Sequence, residues 1–93
     1  MVYALGKSKV VSASTTIIAT AARILGVGIK AGTDSASVKL LDGGASGTQK
    51  TVTMAVGTGV SDHWSFPDAI QCSTDIYATI SGTAPEVAVE YED

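Results

Sequence analysis

Ninety-three residues make one domain near the lower end of the usual size range. The composition, 45% hydrophobic and 16% charged, excludes a disordered chain. A net charge of −3, with Arg23 the lone arginine and the lysines scattered, argues against a nucleic-acid partner. Small domains draw extra stability from disulfides, metals or association. Cys72 is the single cysteine and His63 the single histidine, so no internal disulfide and no metal-ligand cluster can form. Association is what remains, and a homo-oligomer or docked subunit is expected.

No stretch reaches the length of an apolar membrane span, so no membrane partner is expected. Lys7 and Lys9 ahead of Val10-Val11 invite a signal-peptide reading. Ser12, Ser14, Thr15 and Thr16 interrupt any hydrophobic segment there, and the region reads instead as an arm followed by a first strand. Synthesis in the cytoplasm, with a lone reduced thiol, is the matching expectation.

Residues 1–14 show no clean period and read as an extended N-terminal arm, with the folded domain over residues 15–93. Val2, Tyr3, Leu5, Val10 and Val11 carry apolar side chains that solvent would waste, so the arm is the candidate partner contact. Two readings stand side by side: the arm lies on a neighbour, or it completes the domain's own sheet. From residue 15 onward the chain changes character every few residues at Gly, Asp, Ser or Pro, the rhythm of short strands.

Thr15–Thr20 is the first strand expected after the arm. Arg23–Ala31 follows, with Leu25, Val27 and Ile29 on one face and Gly26 and Gly28 on the other. Two glycines inside a strand point to close backbone approach or a bulge. Ala36–Asp42 alternates Ala36, Val38 and Leu40 inward, and Asp42-Gly43-Gly44 turns the chain. Lys50–Val56 puts Val52, Met54 and Val56 in phase. Val60–Phe66 sets Trp64 and Phe66 opposite His63 and Ser65, and Pro67-Asp68 is expected to end it, because proline cannot donate to a ladder. Ile70–Cys72 reads as a short strand. Ile76, Ala78 and Ile80 alternate inward on the next, and Val87, Val89 and Tyr91 on the last.

About eight strands with period-2 alternation and no crossover helix predict an all-β fold, an antiparallel β-sandwich of jelly-roll or immunoglobulin-like type. Trp64, Phe66, Leu25, Val27, Ile29, Leu40, Met54, Ile76, Ile80 and Val89 are the expected core.

Catalytic chemistry is hard to assemble from these residues, and the chain does not read as an enzyme. His63 is the one candidate base at neutral pH. Its neighbour Asp62 points to the opposite strand face, and Ser65 shares its face with no third group placed. Cys72 reads as a small apolar side chain. Asp34, Asp42, Asp68 and Asp75 sit in turns, where aspartates accept hydrogen bonds from their own backbone. Their spacing lacks the density of a calcium loop, and no cofactor is expected.

One resemblance runs from Arg23 to Tyr91. It rests on Arg23-Ile24-Leu25-Gly26-Val27, Ala31-Gly32-Thr33-Asp34, Val38-Lys39-Leu40-Leu41-Asp42-Gly43, Gly57-Thr58-Gly59-Val60, Trp64-Ser65-Phe66-Pro67, the Asp75–Thr83 run and Val87-Ala88-Val89-Glu90-Tyr91. This order resembles small β-sandwich virion proteins of tailed bacteriophages, including head decoration (cement) proteins. The resemblance implies a homotrimer on the capsid surface that bridges capsomers, with the major capsid protein or another virion protein as partner. It implies no catalytic residues. The alternatives are a tail, neck or fibre component, and a carbohydrate-binding module using Tyr3 and Tyr77 as platforms.

Overall fold

Val, Ile and Thr favour pleated strands because their branched side chains suit a half-buried sheet surface. In this chain they alternate with polar residues between Gly- and Asp-rich turns. The computed structural model describes residues 6–93. Among them it forms β1 (Lys7–Val11), β2 (Thr15–Ile18), β3 (Ala22–Lys30), β4 (Ala36–Asp42), β5 (Thr48–Gln49), β6 (Met54–Val56), β7 (Ser61–Cys72), β8 (Ile76–Ser81) and β9 (Glu86–Glu92). Every pairing is antiparallel.

A four-stranded sheet has the order β1-β9-β3-β7, and a second sheet the order β2-β8-β4-β5, with β6 also on β4. If β5 and β6 are one interrupted strand, the first strand pairs with the last, the second with the last but one, and so inward along the chain. That is a long hairpin rolled into two sheets, the jelly roll rather than the immunoglobulin order. The short axis of the molecule is 18 Å, which fits two layers packed about 10 Å apart.

Ile24, Val27, Val38, Leu40, Ile76, Val87 and Val89 are fully buried between the sheets. Each such side chain contributes about 1.5–3 kcal/mol over its exposed state. Val27, Ile29, Leu40, Met54, Ile76 and Val89 are core residues as the alternation predicts. Trp64, Phe66, Leu25 and Ile80 are instead half-buried. Trp64 and Phe66 lie on the edge strand β7, where they pack on the margin of the core.

The reason for Leu25 is a bulge. Opposite β9, Ile24 pairs with Tyr91 and Gly26 with the adjacent Glu90, so Leu25 is one residue too many. The extra residue resets the alternation: Ile24, not Leu25, faces inward before it, and Val27 and Ile29 face inward after it. The same point interrupts β7. Ile24 pairs with Ile70 and Gly26 with Ser65, which leaves Phe66–Ala69 out of the ladder. Pro67 therefore does not end the strand as expected. It sits in the unpaired part of an edge strand, where its missing N–H costs nothing.

Lys50–Val56 is not one strand. Val52 is 76% exposed, and Thr51 is buried in its place. Lys50 donates its N–H to the Leu40 carbonyl at 2.8 Å, and the Leu40 N–H donates to Thr51 Oγ1 at 3.1 Å. A side-chain oxygen thus stands in for the backbone acceptor between β5 and β6.

The turn aspartates act at long range. Asp42 accepts from the N–H groups of Ser73 (2.8 Å), Thr74 (2.9 Å) and Asp75 (3.2 Å) and from Ser73 Oγ (3.1 Å). Asp75 returns the arrangement by accepting from the Gly43 and Gly44 N–H groups. Asp34 likewise holds the Thr83 N–H and hydroxyl. The expectation that these residues bind their own turns is corrected for all three: each clasps a loop distant in sequence.

Part of the expected arm belongs to the domain. Lys7–Val11 pairs with Tyr91–Val87 as β1, and Val11 packs against the core. Lys7 forms an ion pair with Asp93 at 2.9 Å. Over these residues the structure takes the second of the two readings, completion of the domain's own sheet. Val2, Tyr3 and Leu5 lie outside the described residues.

Two measurements check this account. Thr51→Val keeps the shape but strands the buried Leu40 N–H, at a cost of about 1–3 kcal/mol in denaturant unfolding, whereas Thr51→Ser retains most of the stability. The backbone donors, Ser73 first, hold the Asp42 carboxyl down at about 2 from an ordinary 3.8. Its folded value lies below its unfolded one, so its contribution is complete above about pH 4 and is lost as pH falls from about 4 to 2. Unfolding midpoints should decline across that window, and Asp42→Asn should lower the neutral-pH midpoint and flatten the decline.

Candidate functional site

Residues paired across an antiparallel ladder share a face. Register therefore maps the outer face of the four-stranded sheet row by row. Val10, Ala88, Gly28 and His63 form one row across β1, β9, β3 and β7, and Ser8, Glu90, Gly26 and Ser65 form the next. Glu86, Lys30 and Ser61 close one end, and Glu92, Arg23 and Gln71 the other.

The centre of this face is low because β3 shows only glycine there and β9 an alanine beside Glu90. A depression of about 280 Å³ opens over Gly28 and Ala88, bounded by Val10, Lys30, Ser61 and Glu86. Val10 is 65% exposed, which is high for a valine set beside a bare floor.

His63 reaches over the glycines to Glu90, and its Nε2 meets Glu90 Oε1. Gly26 is the residue that permits this. A Cβ there would stand 2.8 Å from Glu90 Oε1, 3.0 Å from the Trp64 carbonyl oxygen and 3.4 Å from His63 Cε1. Gly26 thus serves as predicted, bordering a bulge and allowing close approach, whereas a Cβ on Gly28 would meet His63 Cδ2 at 3.4 Å, an ordinary contact. The pair spans β7 and β9 across β3, and no hydrogen bond joins His63 to Ser65 among the described residues. Asp62 accepts from the His63 backbone N–H at 2.8 Å and does not orient the ring. Sequence reasoning missed Glu90, which lies 27 positions away and enters through register alone; the Gly-x-Gly pattern was the one signal for it.

The second sheet has a different outer surface. Ser37, Ser81, Lys39, Thr79, Thr16 and Tyr77 share its exposed side by register, and Ser37 Oγ lies 2.5 Å from Ser81 Oγ. This face is hydroxyl-rich where the other is bare and charged at its ends.

The edges of the four-stranded sheet are closed to further strands. Lys9 pairs with Val89 and Asp62 with Ile29, so each edge strand carries a charge on its core-facing side. Lys9 Nζ donates to the Thr16 carbonyl at 3.4 Å. β7 adds Pro67 and its unpaired stretch. Inward charges, proline and bulges all obstruct edge-to-edge pairing.

Cys72 is buried on the inner side, and burial pushes its thiol up, away from the thiolate that a nucleophile needs. No group of three or more metal-binding side chains occurs among the described residues. No family model, curated protein or solved structure matches the chain.

The His63–Glu90 contact is exposed, and a double-mutant cycle with His63→Ala and Glu90→Gln should give about 0.2–1 kcal/mol. Gly26→Ala displaces the Glu90 carboxylate, the flexible partner in that crowding. The same cycle in a Gly26→Ala background should give no coupling while the fold persists.

Proposed function

We propose that this chain is a structural subunit of a tailed-phage virion, a head decoration protein that binds the capsid exterior and bridges capsomers. The supporting observation is a thin jelly roll with two broad, chemically different outer faces and with the edges of one sheet blunted. A bridging subunit needs at least two separate contact surfaces, and back-to-back faces supply them on opposite sides of one small domain. Jelly rolls recur in viral capsid and lectin domains, which is analogy of fold and not of site. On a lattice many weak contacts add by avidity, so each copy needs only modest affinity. The homotrimer implied by the sequence resemblance is part of the proposal, as are the major capsid protein as partner and the capsid surface as location. A tail, neck or fibre position uses the same surfaces.

A carbohydrate-binding role is the second reading. It is favoured by Tyr77, half-buried on the hydroxyl-rich face beside Thr16 and Thr79. A glycan array that binds the wild type and loses signal with Tyr77→Ala supports it, and an array with no hits removes it.

The decoration reading is tested with shells of the capsid protein encoded by the same phage. Purified protein should co-sediment with them to saturation, and electron cryomicroscopy should place its density on the head exterior. Density on the tail moves the assignment to the alternative position, and no binding to either sinks it. Removal of residues 1–5, which carry Val2, Tyr3 and Leu5, should weaken shell binding.

A further inference from the structure

The charges on the bare face are sorted by strand. The outward residues of β9 are Glu86, Ala88, Glu90 and Glu92, and those of β3 are Arg23, Gly26, Gly28 and Lys30. One column is acidic and its neighbour basic, with Ala88, Gly26 and Gly28 between the charged ends and the His63–Glu90 contact crossing beside them. Arg23 forms an ion pair with Glu92 inside the chain, and Glu90 meets His63. Glu86 and Lys30 are register partners, yet no ion pair joins them among the described residues.

We infer that a second copy of this chain docks face to face on this sheet, about a two-fold axis running along the strands between β9 and β3. Rotation about that axis exchanges the two columns and keeps the rows. Glu86 of each copy then meets Lys30 of the other, and Glu92 meets Arg23. Ala88 then lies opposite Gly28, beside the His63 ring that reaches across the glycines, and Val10 lies opposite the His63 backbone. A two-fold axis across the strands instead sets Glu86 against Glu92 and Lys30 against Arg23. Charge selects the first arrangement and opposes the second, which is how register between identical surfaces is specified. Packed sheets align within about 30°, which long charged side chains at the ends of the face can span.

The inference rests on the proposed self-association of the chain but pairs copies two by two, in place of the threefold arrangement that the sequence resemblance implies. It needs no shell, so its failure is separable from failure of shell binding. Four strands about 4.8 Å apart and some six residues long offer roughly 400 Å² per copy. That is about half of a standard interface, so a weak pair with a dissociation constant on the order of 0.1–1 mM is expected.

Sedimentation equilibrium on the full chain up to about 2 mM tests it. The wild type should approach dimer mass, and less so at high salt. Lys30→Glu alone sets a second carboxylate against Glu86 in both contacts, and Glu86→Lys alone sets a second ammonium group against Lys30, so each variant should stay monomeric. Mixed, the two variants restore both opposite-charge contacts in one heterodimer and should associate at wild-type strength. Both residues are exposed, so thermal melts at low concentration should match the wild type. A wild type that is monomeric throughout, a trimer indifferent to either reversal, or a mixture that stays monomeric overturns the inference.

Discussion

β3 carries two incompatible demands, and one extra residue reconciles them. Its inner side must fill the core with Ile24, Val27 and Ile29, while its outer side must stay low enough for His63 and Glu90 to meet across it. Strict alternation cannot place both Ile24 and Val27 inward, because they are three residues apart. The bulge at Leu25 supplies the odd residue. It also sets the break in β7, since Phe66–Ala69 leaves the ladder where β3 shifts register. The core, the bare floor and the interrupted edge therefore follow from one local irregularity.

A domain of this size with one thiol must hold its loops by other means. Asp42 and Asp75 form a reciprocal clasp between the loop after β4 and the loop after β7. Asp34 ties the turn after β3 to the loop after β8. Carboxylates accepting several N–H groups make charge-assisted hydrogen bonds, stronger than neutral ones. These clasps cross between loops more than 30 residues apart, as disulfides do in secreted domains of similar length. Unlike a disulfide, the Asp42 clasp depends on ionisation, which gives the fold an acid-sensitive element.

The all-β class was legible because period-2 alternation is a local property. Val38, Leu40, Ile76, Ala78, Val87 and Val89 are inward as their spacing dictates. What failed were features that depend on partners. Leu25 was misplaced because a bulge is defined by the opposing strand. Val52 fits the phase of Met54 and Val56, but the hydroxyl of Thr51 completes the Leu40 hydrogen bonding and turns Val52 outward. Trp64 has the bulk of a core residue, yet an edge strand gives it neighbours on one side only. The His63–Glu90 contact and the aspartate clasps were invisible for the same reason: a single sequence does not state register.

Closing the edges of a sheet does more than prevent aggregation. Lys9 and Asp62 each place a polar, exposed side chain on the core-facing side of an edge strand. Such placement trades stability for control over which contacts form. With strand addition obstructed at both edges of the four-stranded sheet, its outer face is the broad surface that sheet leaves for contact. There hydrogen-bonded backbone is already satisfied, and side chains alone decide the outcome. On the second sheet they are mostly hydroxyl groups, with Lys39 and Tyr77 among them. On the four-stranded face they are ordered into an acidic and a basic column around a glycine floor. That second pattern is directional: turning the face end for end sets like charge against like.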